Sequence, residues 1–322
     1  MIAIETKKEE GDEEDEEETT ASRFVDKMLS FLLRGFQAKD KVVRYRSIHF
    51  VAEMVAHLGE IRYVALFVRY SWLTRHSEML YADLRKALFE RVHDKETFVR
   101  VQAVIALSKL CGSEDPSDVE EGEPTALEVL LEILSCDPAA FVYPFVVVLK
   151  VYSFFVCRDV RRAALLNIPL SSVTLDAVFA RTRDTDTIMR KLVYSAILDQ
   201  HCFDSEGSGI GIVHPRVLTI SQRELIIRNG LGDREPTVRQ AAGSLLGTWV
   251  DVARGEAKND ETKDINSDVL ALLNLFDLTE STVAEDALLS IFDTRRDIFD
   301  HLEFKGTFDQ LFSVTNTDRY PR

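Results

Sequence analysis

Few side chains in this chain of 322 residues have the type and spacing that chemistry requires. His201 and Cys202 lie beside Asp199 and Asp204, a grouping of atoms able to ligate a metal ion. Because all four fall at one predicted helix end, we interpret them as an ordinary polar turn rather than a metal site. The four cysteines, at positions 111, 136, 157 and 202, form no CxxC pair. They predict neither a zinc site nor a disulfide framework and fit a reducing compartment, cytoplasm or nucleus.

Catalytic motifs are missing as well. Gly207, Gly209 and Gly211 have a faint likeness to a phosphate-binding loop, but no predicted strand precedes them. The chain contains no GxxxxGK[ST], HExxH or GxSxG. We therefore predict a protein that is not an enzyme and that uses no cofactor and no metal.

Binding of phosphates is the chemistry that the basic residues favour. They gather in three groups: Lys39, Lys41, Arg44 and Arg46; Arg158, Arg161 and Arg162; and Arg181, Arg183, Arg190 and Lys191. If they lie at corresponding positions of stacked repeats, they form a basic stripe for DNA phosphates. Alternatively, some pair with carboxylates inside the fold and the others are only solvated. The residues leave both interpretations open.

The elements that must position these side chains repeat along the chain. Five times a hydrophobic residue is followed at once by an arginine, and a small or β-branched residue comes four positions after the hydrophobic one. The copies begin at Val43, Val99, Val160, Met189 and Val238, and the residues four positions later are Ser47, Ala103, Ala164, Val193 and Ala242. Such a recurrent unit is typical of a helical solenoid, whose extended surfaces bind other molecules. We predict an all-α HEAT-repeat α-solenoid, a superhelix of antiparallel helix pairs.

A ladder of ion pairs is the role that we predict for the motif arginines. In three copies an aspartate stands five residues before the hydrophobic position and can cap the helix that follows. Each arginine can pair with an aspartate of the adjacent repeat. The predicted ladder comprises Arg44, Arg100, Arg161, Arg190 and Arg239 with Asp94, Asp184 and Asp233.

Local signals place several helix ends. Ser221 and Glu224 have the spacing of a capping box, which predicts a helix starting there and ending at Asn229 or Gly230. Pro236 fits the first turn of the next helix, roughly 236–253. Further helices are predicted over roughly 266–276 and 280–301.

The two ends differ in composition from the middle. Residues 1–21 are predicted to be a disordered acidic tail, since ten carboxylates face only Lys7 and Lys8 there. This accounts for −8 of the net charge of −15. The solenoid is predicted over 22–304, followed by an irregular tail over 305–322 that has no polar capping repeat.

Two apolar segments, about 62–77 and 141–158, interrupt the repeat spacing. Removing 141–158 joins Asp137 to Val160 with the same spacing as in the other copies. We hypothesise that both segments are foreign to the fold, as retained introns or an unusual splice form. A genuine buried insertion and a membrane span over 141–157 are the alternatives, although the span is short and Pro144 and Lys150 interrupt it. Uniform presence of codons 141–158 in the mature transcript would refute the hypothesis.

Long blocks of the chain resemble the HEAT-repeat subunit of condensin, the G-type non-SMC subunit, in its fungal form. They include SRFVDKMLSFLLRGFQAKDKVVRYRSIHFVAEMV, LRKALFERVHDKETFVRVQAVIALSKL and ISQRELIIRNGLGDREPTVRQAA. The resemblance covers nearly all of 22–304 except the two interrupting segments. The family has further repeats on both sides.

The resemblance implies a chromosome protein of the nucleus, with the cytoplasm in interphase as an alternative location. Implied partners are the kleisin subunit, double-stranded DNA and, indirectly, the SMC ATPase subunits; no membrane is involved. DNA contacts would fall to Lys39, Lys41, Arg46, Arg162 and Lys191. Mitotic chromosome condensation would be the process that the chain supports. The competing expectation is a protein-binding scaffold or nuclear-transport adaptor without DNA binding.

Overall fold

The regular elements of the chain are helices wherever a computed structural model describes it. The described residues are 20–60, 75–112, 114, 119, 122–135, 157–203, 209–257, 272–279 and 282–295. The helices are α1 (Thr20–Phe36), α2 (Lys41–Glu60), α3 (Arg75–Val92), α4 (Thr97–Leu110), α5 (Ala126–Ser135), α6 (Arg158–Asn167), α7 (Leu175–Ala180), α8 (Thr187–Leu192), α9 (Ile220–Leu231), α10 (Pro236–Ala257) and α11 (Val283–Thr294). A π-helical turn, Val193–Leu198, extends α8, and a 3₁₀ turn, Arg181–Arg183, follows α7.

The chain divides into two compact units, residues 1–126 and residues 127–322. In the first unit α1 packs on α2 and α3, and α4 packs on α2 and α3. Helices α1 and α2 form one pair, and α3 and α4 form the next. The first helices of the two pairs, α1 and α3, are neighbours, and so are the second helices, α2 and α4. In the second unit α9 and α10 pack on each other and on α11, and α10 also contacts the helix formed by α8 and its π-helical extension.

The repeated motif supplies the core of both units. Its hydrophobic residue and its small or β-branched residue are buried in four of the five copies: Val99 and Ala103, Val160 and Ala164, Met189 and Val193, Val238 and Ala242. In the first copy Ser47 is buried but Val43 is 45% exposed. Its neighbour on α1 is Gly35, which has no side chain that could cover Val43.

Two helix crossings depend on a glycine facing the small motif residue. A Cβ atom placed on Gly230 would lie 2.5 Å from the Cβ of Ala242 and 2.8 Å from Cζ of Tyr194. Gly35 stands in the same relation to Ser47, whose Oγ would be 2.1 Å from such a Cβ. Close approach of paired helices is thus achieved by removing side-chain bulk at both contacting positions.

The predicted capping box at Ser221 and Glu224 is wrong by two residues. Helix α9 begins at Ile220, and the box is formed by Thr219 and Gln222. The Gln222 N–H donates to Thr219 Oγ1 at 3.2 Å, while Gln222 Oε1 accepts the Thr219 N–H at 3.1 Å. Thr219 with Gln222 and Ser221 with Glu224 both have the spacing of a capping box. The observed box lets the helix begin earlier in the chain, at Ile220. Glu224 instead accepts the Asp277 N–H at 3.0 Å.

Other predicted boundaries fall near the observed ones or outside the described residues. Helix α9 ends at Leu231 rather than at 229 or 230, and Pro236 does begin α10. The acidic segment 1–19, the segments 61–74 and 136–156, and residues 296–322 lie outside the described residues. The predictions for the two interrupting segments and for both tails therefore fall on residues outside the described ones, apart from 75–77 at the start of α3 and 157–158 at the start of α6. The predicted acidic tail 1–21 extends two residues too far, because α1 begins at Thr20. No helix in the described part of the chain combines the length and hydropathy of a membrane span.

Candidate functional site: the arginine–aspartate chain and the basic end of α2

Arg44 on α2 forms a two-pronged ion pair with Asp94, which precedes α4. Its Nε donates to Asp94 Oδ2 at 2.8 Å and its Nη2 donates to Oδ1 at 3.1 Å. Both side chains are almost fully buried, at 5% and 2% exposed. The planar guanidinium matches the carboxylate geometry, so this contact fixes the turn before α4 against the start of α2.

The same pairing recurs twice in the second unit. Arg161 Nη2 donates to Asp184 Oδ1 at 3.1 Å, between two buried side chains. Arg190 donates through Nε and Nη2 to the two carboxylate oxygens of Asp233, at 2.6 and 3.0 Å. In all three cases the aspartate belongs to the next motif copy along the chain.

A second, unpredicted contact links each aspartate to the arginine of its own motif copy. The Nη1 group of the motif arginine donates to the backbone carbonyls of the residues six and five positions before it. This holds for Arg44, Arg100, Arg190 and Arg239, with distances from 2.7 to 3.5 Å. In the last three, the residue six positions earlier is the motif aspartate. The contacts therefore run without interruption from Arg161 through Asp184, Arg190 and Asp233 to Arg239.

The aspartates cap the turn rather than the helix that follows it. Oδ1 of Asp94, Asp184 and Asp233 accepts the backbone N–H two residues later, at 3.0, 2.8 and 2.9 Å respectively. The N-cap residues of α4 and α8 are Glu96 and Asp186. The prediction of helix N-caps is thus wrong by two residues, because an aspartate satisfies a backbone donor equally well within a turn of its own.

Two copies reinforce the aspartate with another arginine. Arg91 Nη1 lies 3.0 Å from Asp94 Oδ2, and Arg181 Nη1 lies 3.2 Å from Asp184 Oδ2. In the fifth copy the corresponding residue is Gly230, which serves the helix crossing instead. The position three residues before the motif aspartate is therefore either a second arginine or the glycine of a close helix crossing.

The electrostatics of the aspartates follow from these contacts. Burial acts to raise the pKa of Asp94, but hydrogen bonds from Arg44 and the Glu96 N–H, with the charges of Arg44 and Arg91, lower it below its usual value. Asp233 is alike: burial opposes the shift, and Arg190 and the Glu235 N–H lower the pKa. Both carboxylates are held ionised by the fold, and the guanidiniums that face them are occupied by internal contacts.

Basic residues with free access to solvent surround the start of α2. Lys39, Lys41 and Arg46 are exposed. Lys41 is partly committed, since its Nζ lies 3.6 Å from Glu96 Oε2 and 6.0 Å from the centre of the Phe98 ring. Within the described part of the chain, no carboxylate forms an ion pair with Lys39 or Arg46.

The two candidates in the second unit differ from each other. Lys191, directly after Arg190, is exposed. Arg162 is half-buried and its guanidinium binds Asp186 Oδ2 at 2.6 Å and Asp159 Oδ1 at 3.3 Å. The charge of Arg162 is therefore balanced locally, whereas that of Lys191 faces solvent.

An aromatic cluster beside the basic residues was not predicted. Tyr45 and His49 stack with their ring centres 6.0 Å apart, and Phe98 meets Tyr45 edge-on at 5.6 Å. The spacing of four between Tyr45 and His49 was the available signal, since it places both rings on one helix face. The exposed edge of α2 and α4 thus combines cations with partly exposed rings.

The grouping around His201 has structural contacts. His201 Nδ1 lies 2.9 Å from the Ile197 carbonyl, and Asp199 accepts a hydrogen bond from Thr248 Oγ1 at 2.6 Å. The Gly211 N–H donates to the Cys202 carbonyl at 3.0 Å. Among the described residues, no group of histidine, cysteine and acidic side chains has the geometry to hold a metal ion.

Comparison with known proteins identifies relatives in one family. The chain is 32% identical over 286 residues to condensin complex subunit 3 of Schizosaccharomyces pombe, which covers 88% of the chain and 26% of that protein. The subunits of Saccharomyces cerevisiae and Homo sapiens are 29% and 27% identical and cover 91% and 82% of the chain. The chain thus spans about a quarter of the length of these curated relatives, at 26%, 24% and 20%. No family model matches it.

A solved structure agrees with these relatives. The S. pombe condensin Cnd3–Cnd2 subcomplex contains a chain that superposes with a TM-score of 0.60 at 32% sequence identity. The match covers 87% of this chain and 29% of the other. The predicted all-α HEAT-repeat α-solenoid is confirmed by this match.

Proposed function

The chain is a partial-length member of the condensin complex subunit 3 family, and we propose that it acts as a non-catalytic HEAT-repeat subunit of condensin. In this proposal it binds the kleisin subunit and double-stranded DNA, contacts the SMC ATPase subunits only indirectly, and supports mitotic chromosome condensation in the nucleus. The relationship to four condensin subunits over most of the chain carries the proposal.

The start of α2 is the DNA contact that we propose. Lys39, Lys41 and Arg46 are exposed around the turn before α2 and its first two turns, while Arg44 among them is buried in its pair with Asp94. The buried arginine fixes the helix start from which the exposed cations project. In the second unit the exposed candidate for DNA contact is Lys191. Arg162 contributes less to DNA binding, because Asp159 and Asp186 balance its charge. Contacts of this kind recognise phosphates without reading sequence.

Kleisin binding is supported by apolar surface at a recurrent motif position. The residue directly before the motif hydrophobic residue is exposed and apolar in three copies: Val42 at 45%, Phe98 at 39% and Ile188 at 50%. Equivalent positions in stacked repeats form rows that suit an extended peptide. The matching solved structure is itself a Cnd3–Cnd2 subcomplex. We propose that Val42 and Phe98 contribute to kleisin binding.

DNA binding as a function of salt tests the first part of the proposal. Reversing Lys39 and Arg46 to glutamate removes two phosphate contacts, so the slope of log Kd against log salt should fall by about 1.8. Lys41 is left intact because its contacts with Glu96 and Phe98 also support the fold. The matched control reverses Lys86 and Lys109, which are also exposed. An equal slope in both double variants would remove the α2 residues from the DNA contact, and no binding by the unaltered chain would favour the adaptor function.

A further inference from the structure

The charge of the chain changes sign abruptly where α1 begins. Residues 1–20 contain ten acidic side chains and two lysines. Residues 23–46 contain seven basic side chains and only two acidic ones, Asp26 and Asp40. A segment of net charge −8 is therefore joined directly to a helix pair that starts with net charge +5, in a chain of net charge −15.

The outer surface of α1 shows where the positive charge is accessible. Lys27 and Arg34 are exposed and lie seven residues apart, so two helical turns bring them onto one stripe. Next to it lie Phe24 and Phe31, which are 65% and 69% exposed. In the described part of the chain no carboxylate forms an ion pair with Lys27 or Arg34. This stripe of Lys27 and Arg34, with Lys39 in the following turn, is called the α1 basic stripe.

We propose that the acidic segment 5–18 binds the α1 basic stripe and thereby competes with DNA for the basic end of α2. The segment would act as an internal substitute for phosphates, lowering the affinity for DNA at low salt. Binding to the stripe stands by itself, whereas the competition rests on the DNA contact proposed above.

Chain length allows this contact. Helix α1 has 17 residues, so about 26 Å separate its first residue from the turn that holds Lys39. An extended segment spans about 3.4 Å per residue, so about eight residues preceding Thr20 cover that distance. The run Asp12–Glu18 is acidic at every position. Whichever of its residues lie opposite Lys27 and Arg34, carboxylates are therefore near both of these cations. Direct attachment also gives the segment a local concentration of about millimolar.

Binding of the segment in trans tests the first step without DNA. The full chain is prepared with its ten acids between positions 5 and 18 changed to asparagine and glutamine, and a fluorescein-labelled peptide of residues 1–19 is titrated into it at 0.05 M salt. Adding Lys27→Glu and Arg34→Glu should weaken peptide binding by at least about fivefold. The matched control, Lys86→Glu with Lys109→Glu, should change it by less than about twofold. Equal loss in both, or no peptide binding at all, would overturn the proposal.

Titration of a 30-base-pair duplex into the same chain and its segment-neutralised variant tests the competition. The chain with the neutralised segment should bind DNA several-fold more tightly than the unaltered chain at 0.05 M salt, and the difference should shrink at 0.3 M salt because both interactions are screened. Unchanged DNA affinity with intact peptide binding would refute the competition alone. Peptide binding in a chain that binds no DNA would instead refute the proposed DNA contact and leave the segment's binding site in place.

Discussion

At the residue scale, the pairing of Arg44 with Asp94 makes a stability prediction. Changing Arg44 to methionine leaves the buried Asp94 carboxylate with Arg91 and the Glu96 N–H only, and should cost about 2–3 kcal/mol of unfolding free energy. Arg46→Met, two residues further along the same helix, removes an exposed cation and should cost less than about 0.5 kcal/mol. Urea denaturation at pH 7 measures both, and equal losses would show that the ion pair adds nothing specific.

The same pair makes the stability depend on pH in a defined direction. Because the folded-state pKa of Asp94 lies below its unfolded value, its contribution is present above pH ~4 and is lost as the pH falls through the folded pKa. In Arg44→Met the folded pKa moves back up, so the variant should lose less stability between pH 5 and pH 2.5 than the unaltered chain. Parallel pH profiles for the two proteins would contradict this.

The sequence pointed to three of these ion pairs, Arg44–Asp94, Arg161–Asp184 and Arg190–Asp233, but not to the other contacts around them. The spacing of aspartate and arginine pointed to pairing between adjacent copies. It carried no sign of the Nη1 bonds to the carbonyls six and five residues earlier, because backbone acceptors have no residue identity. The second arginines, Arg91 and Arg181, were also missed, since their role depends on the turn that brings them to the aspartate.

At the element scale, two glycines of the second unit should respond oppositely to the same substitution. Gly230→Ala would place a Cβ 2.5 Å from that of Ala242, so the crossing of α9 and α10 must open at a cost of about 2 kcal/mol. Gly247→Ala on α10 would place its Cβ 3.7 Å from Arg295 Nη1, an ordinary contact. There the gain in helix propensity should stabilise the chain by about 0.5–1 kcal/mol. Thermal unfolding midpoints that moved the same way would contradict the packing described for Gly230.

Helix existence was easier to predict than helix ends. The end signals and the recurrent motif placed α9 and α10 within a few residues, because a buried stripe must repeat every three or four positions. The start of α9 was missed because Thr219–Gln222 and Ser221–Glu224 both satisfy the capping pattern. In the fold Glu224 accepts the Asp277 N–H, a tertiary contact that the local pattern does not contain.

At the scale of the whole molecule, the chain combines internal cations that hold repeats together with external cations available to phosphates. Alternation of the two along α2, with Arg44 buried and Lys41 and Arg46 exposed, follows from the helical period. Sequence alone left these two uses of arginine and lysine undecided, since charge does not report burial. The fold separates them, and family membership gives the exposed set its proposed partner.

Complex formation with kleisin tests the central proposal most directly. The chain as written, and a version lacking residues 62–77 and 141–158, are each co-expressed with the kleisin subunit of condensin and analysed by size-exclusion chromatography. We predict co-elution with kleisin for at least one version, and reduced co-elution when Val42 and Phe98 are changed to serine. Separate elution of kleisin from both versions, each folded by circular dichroism, would contradict the proposal that this chain acts as a condensin subunit.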